Sequence, residues 1–186
     1  MPRFTTLLQT GIRLKSFAGT SIGEFLTSLP ELDVEYLSER VQTIFIDGSA
    51  VDDLEKRFTG PTHIVALSAA MPGLAGAIFR RNSLYAALRS VAKDQEKSNQ
   101  GKREIDIHLK LFNMIALEKG PALLQKGGVF KGEVLAGFLQ RNAMLVDQIL
   151  SIEADGGTVA AANFPGFLWY QNDYHTTIIP QDTPKP

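Results

Sequence analysis

The sequence of 186 residues contains no cysteine. That excludes disulfides, zinc–thiolate sites, thiolate-ligated iron–sulfur clusters and thiol nucleophiles within the chain. No uncharged apolar run reaches the length of about 18 residues that marks a membrane span, so no membrane role is expected. Histidine occurs only three times, at His63, His108 and His175, and no H-x-x-x-H or HExxH spacing links them. Neither a metal nor a cofactor is therefore expected. G-x-x-x-x-G-K-[ST], G-x-G-x-x-G and G-x-S-x-G are also missing, so no phosphate loop or nucleophile elbow stands out, and catalytic residues stay unknown. Nineteen Lys+Arg against 20 Asp+Glu leave a net charge of −1, which gives polyanions no global field and makes nucleic acid an unexpected partner. The opening MPRFTTLLQTGIRLK lacks an apolar segment of signal-peptide length before Gly11 or Arg13 interrupts it, and the cytoplasm is the expected compartment.

What is present is enough apolar residue, 44%, to bury a core in one domain or in two small ones. The chain is organised around Val41 to Gly76. Two runs there, Val41 to Ile46 and His63 to Ala69, are rich in β-branched and aromatic residues and read as strands. Asp47-Gly48 is a turn signal after the first, and Gly60-Pro61 punctuates the entry to the second. Upstream, Arg3 to Gln9 and Ile12 to Phe17 read as strands of a hairpin about Thr10-Gly11. Ser21-x-x-Glu24 is a capping box and predicts a helix of about ten residues. Its apolar side is Ile22, Phe25, Leu26 and Leu29, and Pro30 stops it. Glu31 to Arg40 is a polar connection.

Strand, strand, helix, strand, turn, strand is the order of a β-grasp domain. The first 76 residues resemble the ubiquitin-like sulfur carriers, the small subunit of molybdopterin synthase and the thiamine sulfur carrier. The resemblance rests on Ile44-Phe45-Ile46-Asp47-Gly48 followed by Val51-Asp52-Asp53, on Gly60 to Leu67, and on the Pro-Gly-x-x-Gly ending at Gly76. It implies a fold more than an activity. Those carriers act through a free C-terminal Gly-Gly carboxylate, whereas here Leu74 and Ala75 separate Gly73 from Gly76 and 110 residues follow.

Beyond Gly76, AIFRRNSLYAALRSVAK favours a helix, with a strand into Asn82-Ser83 as the alternative. Lys93 to Glu104 has no large apolar side chain and reads as a linker or mobile loop. Ile105 to Phe112 alternates strictly and predicts a strand with one wet face. Met114 to Leu117 continues it or begins a turn toward Lys119-Gly120-Pro121, and Lys126-Gly127-Gly128 marks a break. From Gly132, Val134, Leu135, Phe138, Leu139, Leu145, Val146, Ile149 and Leu150 predict an amphipathic helix of about twenty residues. Asp155-Gly156-Gly157 would end it, with short strands at Thr158 to Ala162 and Phe167 to Gln171 and a loose tail. Leu7-Leu8-Gln9-Thr10-Gly11 is echoed by Leu123-Leu124-Gln125-Lys126-Gly127, which leaves a duplicated β-grasp open.

The expected fold class is thus α+β. A β-grasp-like (ubiquitin-like) domain with a trailing helix spans 1–92, a linker 93–104, and a second small α+β portion 105–186. A non-catalytic interaction or accessory protein is the expected function, with a protein partner or a homo-oligomer. The alternatives are a sulfur-carrier precursor cleaved near Gly76, and a small-ligand-binding protein or enzyme whose pocket lies near the C-terminal aromatics. The candidate ligand or partner contacts are His108, Trp169, Tyr174 and His175, because aromatic bodies with polar tips suit binding surfaces. His108, between Asp106 and Lys110 on the polar side of its strand, could also build a pH-sensitive contact.

Overall fold

A computed structural model of the chain describes residues 4–70, 73–82, 103–142, 149–154, 157–159 and 173–180. The architecture is mixed α+β. The first element is a helix, α1 (Thr5–Thr10), where a strand was predicted. Phe4, Leu7 and Leu8 stand at i, i+3 and i+4 and are all buried, and this helical stripe outweighs the β-branched Thr5-Thr6. The expected hairpin is therefore not formed. The next strand, β1 (Ile12–Phe17), finds its partners far downstream.

The capping box is present. Glu24 N donates to Ser21 Oγ at 3.1 Å while Ser21 N donates to Glu24 Oε2 at 2.8 Å, opening α2 (Ile22–Thr27). This helix is shorter than predicted, yet Ile22, Phe25, Leu26 and Leu29 are all buried. The polar connection holds a second short helix, α3 (Val34–Glu39), capped by Asp33. Then come β2 (Thr43–Ile46), β3 (Ser49–Ala50) and β4 (Thr62–Ser68). Asp47 and Gly48 have φ of 51° and 83°, the two positive values of a type I′ turn, and Ile46 pairs with Ser49 across it. Gly73 to Gly76 opens α4 (Gly73–Phe79), with Gly76 buried and Phe79 packed on Phe45. The rest of the helix predicted beyond Gly76 lies mostly outside the described residues.

The alternating segment is β5 (Glu104–Leu111), with Ile105, Ile107, Leu109 and Leu111 buried. Met114 to Leu117 belongs to a helix, α5 (Asn113–Lys126), not to a strand or turn. It accommodates Pro121 while burying Ile115, Ala116, Gly120, Leu123 and Leu124. After β6 (Gly128–Lys131), α6 (Gly132–Arg141) buries Leu135, Phe138 and Leu139. The predicted long helix is cut short, because Ile149 and Leu150 belong to β7 (Ile149–Ala154). Ala154 pairs with Gly157 of β8 (Gly157–Val159), so Gly157 belongs to a strand and not to a helix end, and Asp155-Gly156 lie outside the described residues. Residues 160–172, with the strand expected at Phe167 to Gln171, lie outside the described residues, as does the tail. A strand not anticipated, β9 (Asp173–Pro180), completes the set.

The strands run β3-β2-β4-β5-β1-β6-β9, and beyond β9 the ladder continues to β7 and β8, nine strands among the described residues. Among the described residues only β4 and β5 are parallel; the other pairs are antiparallel. The expected boundary at 93–104 falls almost wholly outside the described residues. On either side of it β4 and β5 are neighbours, and β5 also pairs with β1, so one sheet takes strands from both portions. One core cluster likewise joins Phe4, Phe25, Phe58, Ile107, Phe130 and Phe138.

The echoed Leu-Leu-Gln segments take the same course. α1 ends at Gly11 (φ 110°) and leads into β1 and α2, while α5 ends at Gly127 (φ 81°) and leads into β6 and α6. Arg13 and Val129, each the second residue after its glycine, pair with one another. Equivalent residues that meet in an antiparallel pair mark a local two-fold axis.

Candidate functional site

Strand alternation sends Ile12, Leu14 and Ser16 into the core and puts Arg13, Lys15 and Phe17 on the opposite face of the sheet. The register carries that face across five strands. Ile64 of β4 lies opposite His108 of β5, His108 opposite Arg13 of β1, Arg13 opposite Val129 of β6, and Val129 opposite His175 of β9. His108 and His175 thus share one row of one face. They stand three strand spacings apart, about 14 Å, and do not touch. His175 is exposed and His108 half-buried. Tyr174 takes the next register position, opposite Phe130. Trp169 lies outside the described residues. The four sequence candidates are therefore not gathered into one constellation by the described part of the chain.

Charged groups absent from those candidates dominate the row. Arg13 Nη1 holds Asp173 Oδ2 at 2.7 Å, an ion pair that reaches from β1 over β6 to β9. Arg13 Nε is buried and has no hydrogen-bond partner among the described residues. One row along, Lys15 Nζ meets Glu104 at 2.9 Å and Asp106 at 3.0 Å, and these contacts raise the ammonium's pKa. Burial, followed by the neighbouring Arg13 charge, lowers the His108 pKa from the ordinary 6.5. Arg13 was legible in principle, because the Ile12/Leu14 alternation already placed it on the wet face. What the sequence hides is the register that sets it beside His108.

Other polar clusters hold the fold. His63 Nδ1 meets Asp47 Oδ2 at 2.6 Å, and its Nε2 accepts from Gly60 N at 2.9 Å. Both ring nitrogens are thus engaged in holding the turn. Asp47 Oδ1 also accepts from Ile64 N, so this carboxylate ties the turn to β4. On the core side Tyr36 donates to Glu118 Oε2 at 2.7 Å, Arg40 also bonds Glu118, and Lys119 lies over the Tyr36 ring at 4.2 Å. This clasp joins α3 to α5. The Arg40 and Tyr36 bonds lower the Glu118 pKa, while burial and that carboxylate push the Tyr36 phenol up.

No group of three or more His, Asp or Glu side chains placed to hold a metal ion occurs among the described residues. No helix among them is long and apolar enough to cross a membrane. Comparisons with protein-family models, with curated proteins and with solved structures found no match to this chain.

Proposed function

We propose that this chain is a non-catalytic interaction or accessory protein built on a β-grasp-like sheet. The fold part is supported by the order β3-β2-β4-β5-β1, with a central parallel pair flanked on both sides by antiparallel partners and α2 following β1. This favours a β-grasp reading in which the strand usually first in the chain is supplied last, by β5. The run α5–β6–α6–β7–β8–β9 supports a second, smaller version of the same plan.

One observation carries the interaction reading. Phe17 and Ile64, on the sheet face opposite the core, are 49% and 45% exposed beside the charged Arg13, Lys15 and Asp106. Large apolar side chains left in water beside fixed charges suit a protein partner, with the apolar area supplying affinity and the charges register. The test is purification of native complexes with the unaltered chain, with Phe17→Ser/Ile64→Ser, and with Val34→Ser, which changes an exposed apolar residue on α3. A partner retained by the first and third and lost by the second is expected. A solitary monomer with measurable turnover would defeat the reading.

The sulfur-carrier precursor is the alternative. It needs cleavage near Gly76, which is buried within α4, and a protease binds extended backbone. The helix favours the intact chain. Intact-mass measurement of the protein from its native cells decides, since a species ending near Gly76 as a thiocarboxylate would reverse the preference.

A further inference from the structure

The two halves of the sheet meet at β1 and β6, and the meeting is thin. Arg13 and Val129 form the register pair between these strands. The Arg13–Asp173 ion pair reinforces it by reaching past β6 to β9. Arg13 is thus the residue on which the junction turns, and directly opposite it on the other side sits His108.

We propose that His108 makes this junction acid-sensitive: protonation of its ring sets a second cation beside Arg13, competes for Asp173, and loosens the pairing of β1 with β6.

Like charges directly opposite one another on neighbouring strands are destabilising, and more so where water is partly excluded. The surroundings of His108 give little relief. From β1 it faces Arg13 and, further along, Lys15; on its own strand, Asp106 and Lys110; from β6, Lys131; and from β9, Asp173. The facing residue of β4 is Ile64, which offers no charge. Both nearby carboxylates are already engaged, Asp106 with Lys15 and Asp173 with Arg13. A protonated imidazole must therefore share an acceptor that a stronger cation holds.

The pH window follows. Burial and Arg13 keep the folded-state pKa below the unfolded 6.5, so the unfolded chain binds the proton more readily. The contribution of neutral His108 is complete above 6.5 and is lost as the pH falls from there toward the folded pKa.

The experiment is an NMR pH titration of the histidine rings in the intact protein, assigned with His108→Gln, together with amide hydrogen exchange at pH 7.5 and 5.5 corrected for intrinsic rates. His108 is expected to titrate below 6.5, and Arg13→Gln to raise its pKa. Amides of residues 128–131 should lose protection at pH 5.5 in the unaltered chain and keep it in His108→Gln. A His108 pKa at or above 6.5 would overturn the proposal, as would identical exchange in the two proteins. If Arg13→Gln does not fold, the His108→Gln comparison still decides.

Discussion

The two helix–glycine–strand–helix units share a backbone course but not a packing solution, and the difference is sharpest just after each glycine. In the first unit that residue is Ile12, fully buried. In the second it is Gly128, where a Cβ would lie 2.6 Å from the Ile12 side chain and 2.9 Å from Leu14. Near a two-fold axis equivalent side chains compete for one space, and here a large residue on one copy is matched by none on the other. The glycines themselves differ too. A Cβ at Gly11 would meet the flexible Lys110 chain at 3.3 Å, whereas at Gly127 it would meet Thr177 Oγ1 at 2.5 Å and the Thr176 carbonyl at 3.2 Å. Helix entry completes the contrast. α2 has its reciprocal Ser21/Glu24 cap, whereas Lys131 at the N-cap position of α6 makes no side-chain cap. The first unit is specified locally, the second by what it is pressed against.

Three sets of substitutions test that division. Gly128→Val should have the largest effect, a loss of about 3 kcal/mol or failure to fold, since the buried Ile12 and Leu14 have nowhere to move. Chemical denaturation of Gly128→Ala, Ile12→Ala and the double variant sharpens it. The double variant should be less destabilised than the sum of the two, and strict additivity would break the comparison. Next, Gly127→Ala should cost more than Gly11→Ala, about 2 against about 1 kcal/mol. Both place a side chain at a φ that suits glycine, but only the former also collides. Equal losses in denaturation midpoint would mean that backbone strain alone matters. The smallest effects are at the caps: Ser21→Ala should lose about 1 kcal/mol, while Lys131→Ser should gain a few tenths if its hydroxyl captures an orphan amide of α6.

Legibility in the sequence follows the same line. The capping box, the Asp47-Gly48 turn and the alternation of β5 were readable because each is a local rule: a hydroxyl with a carboxylate three residues on, a pair tolerant of positive φ, a period of two. Arg3 to Gln9 reads as a strand of a hairpin because a second strand-prone run follows Thr10-Gly11, although Phe4, Leu7 and Leu8 carry helical spacing. α5 was hidden by Gly120 and Pro121, residues that normally break helices. β9 is obscured because its tyrosine and histidine suggest a binding surface, while Thr176, Thr177, Ile178 and Ile179 are the strand signal. At the candidate site, the presence of His108 on a wet face was readable. Its neighbours Arg13 and Ile64 come from strands distant in sequence, and no local rule fixes that register.

The pairing of β1 with β5 sets a schedule for the newborn chain. As the ribosome releases the N-terminus, β1 emerges with neither flanking strand made, and its first partner arrives only once residues 104–111 have cleared the exit tunnel. Until then an amphipathic edge must wait in water, where it can be captured by another nascent chain. A message truncated before residue 104 would thus yield an incomplete sheet rather than a smaller protein, and a pause in translation beyond β5 would be better tolerated than one before it.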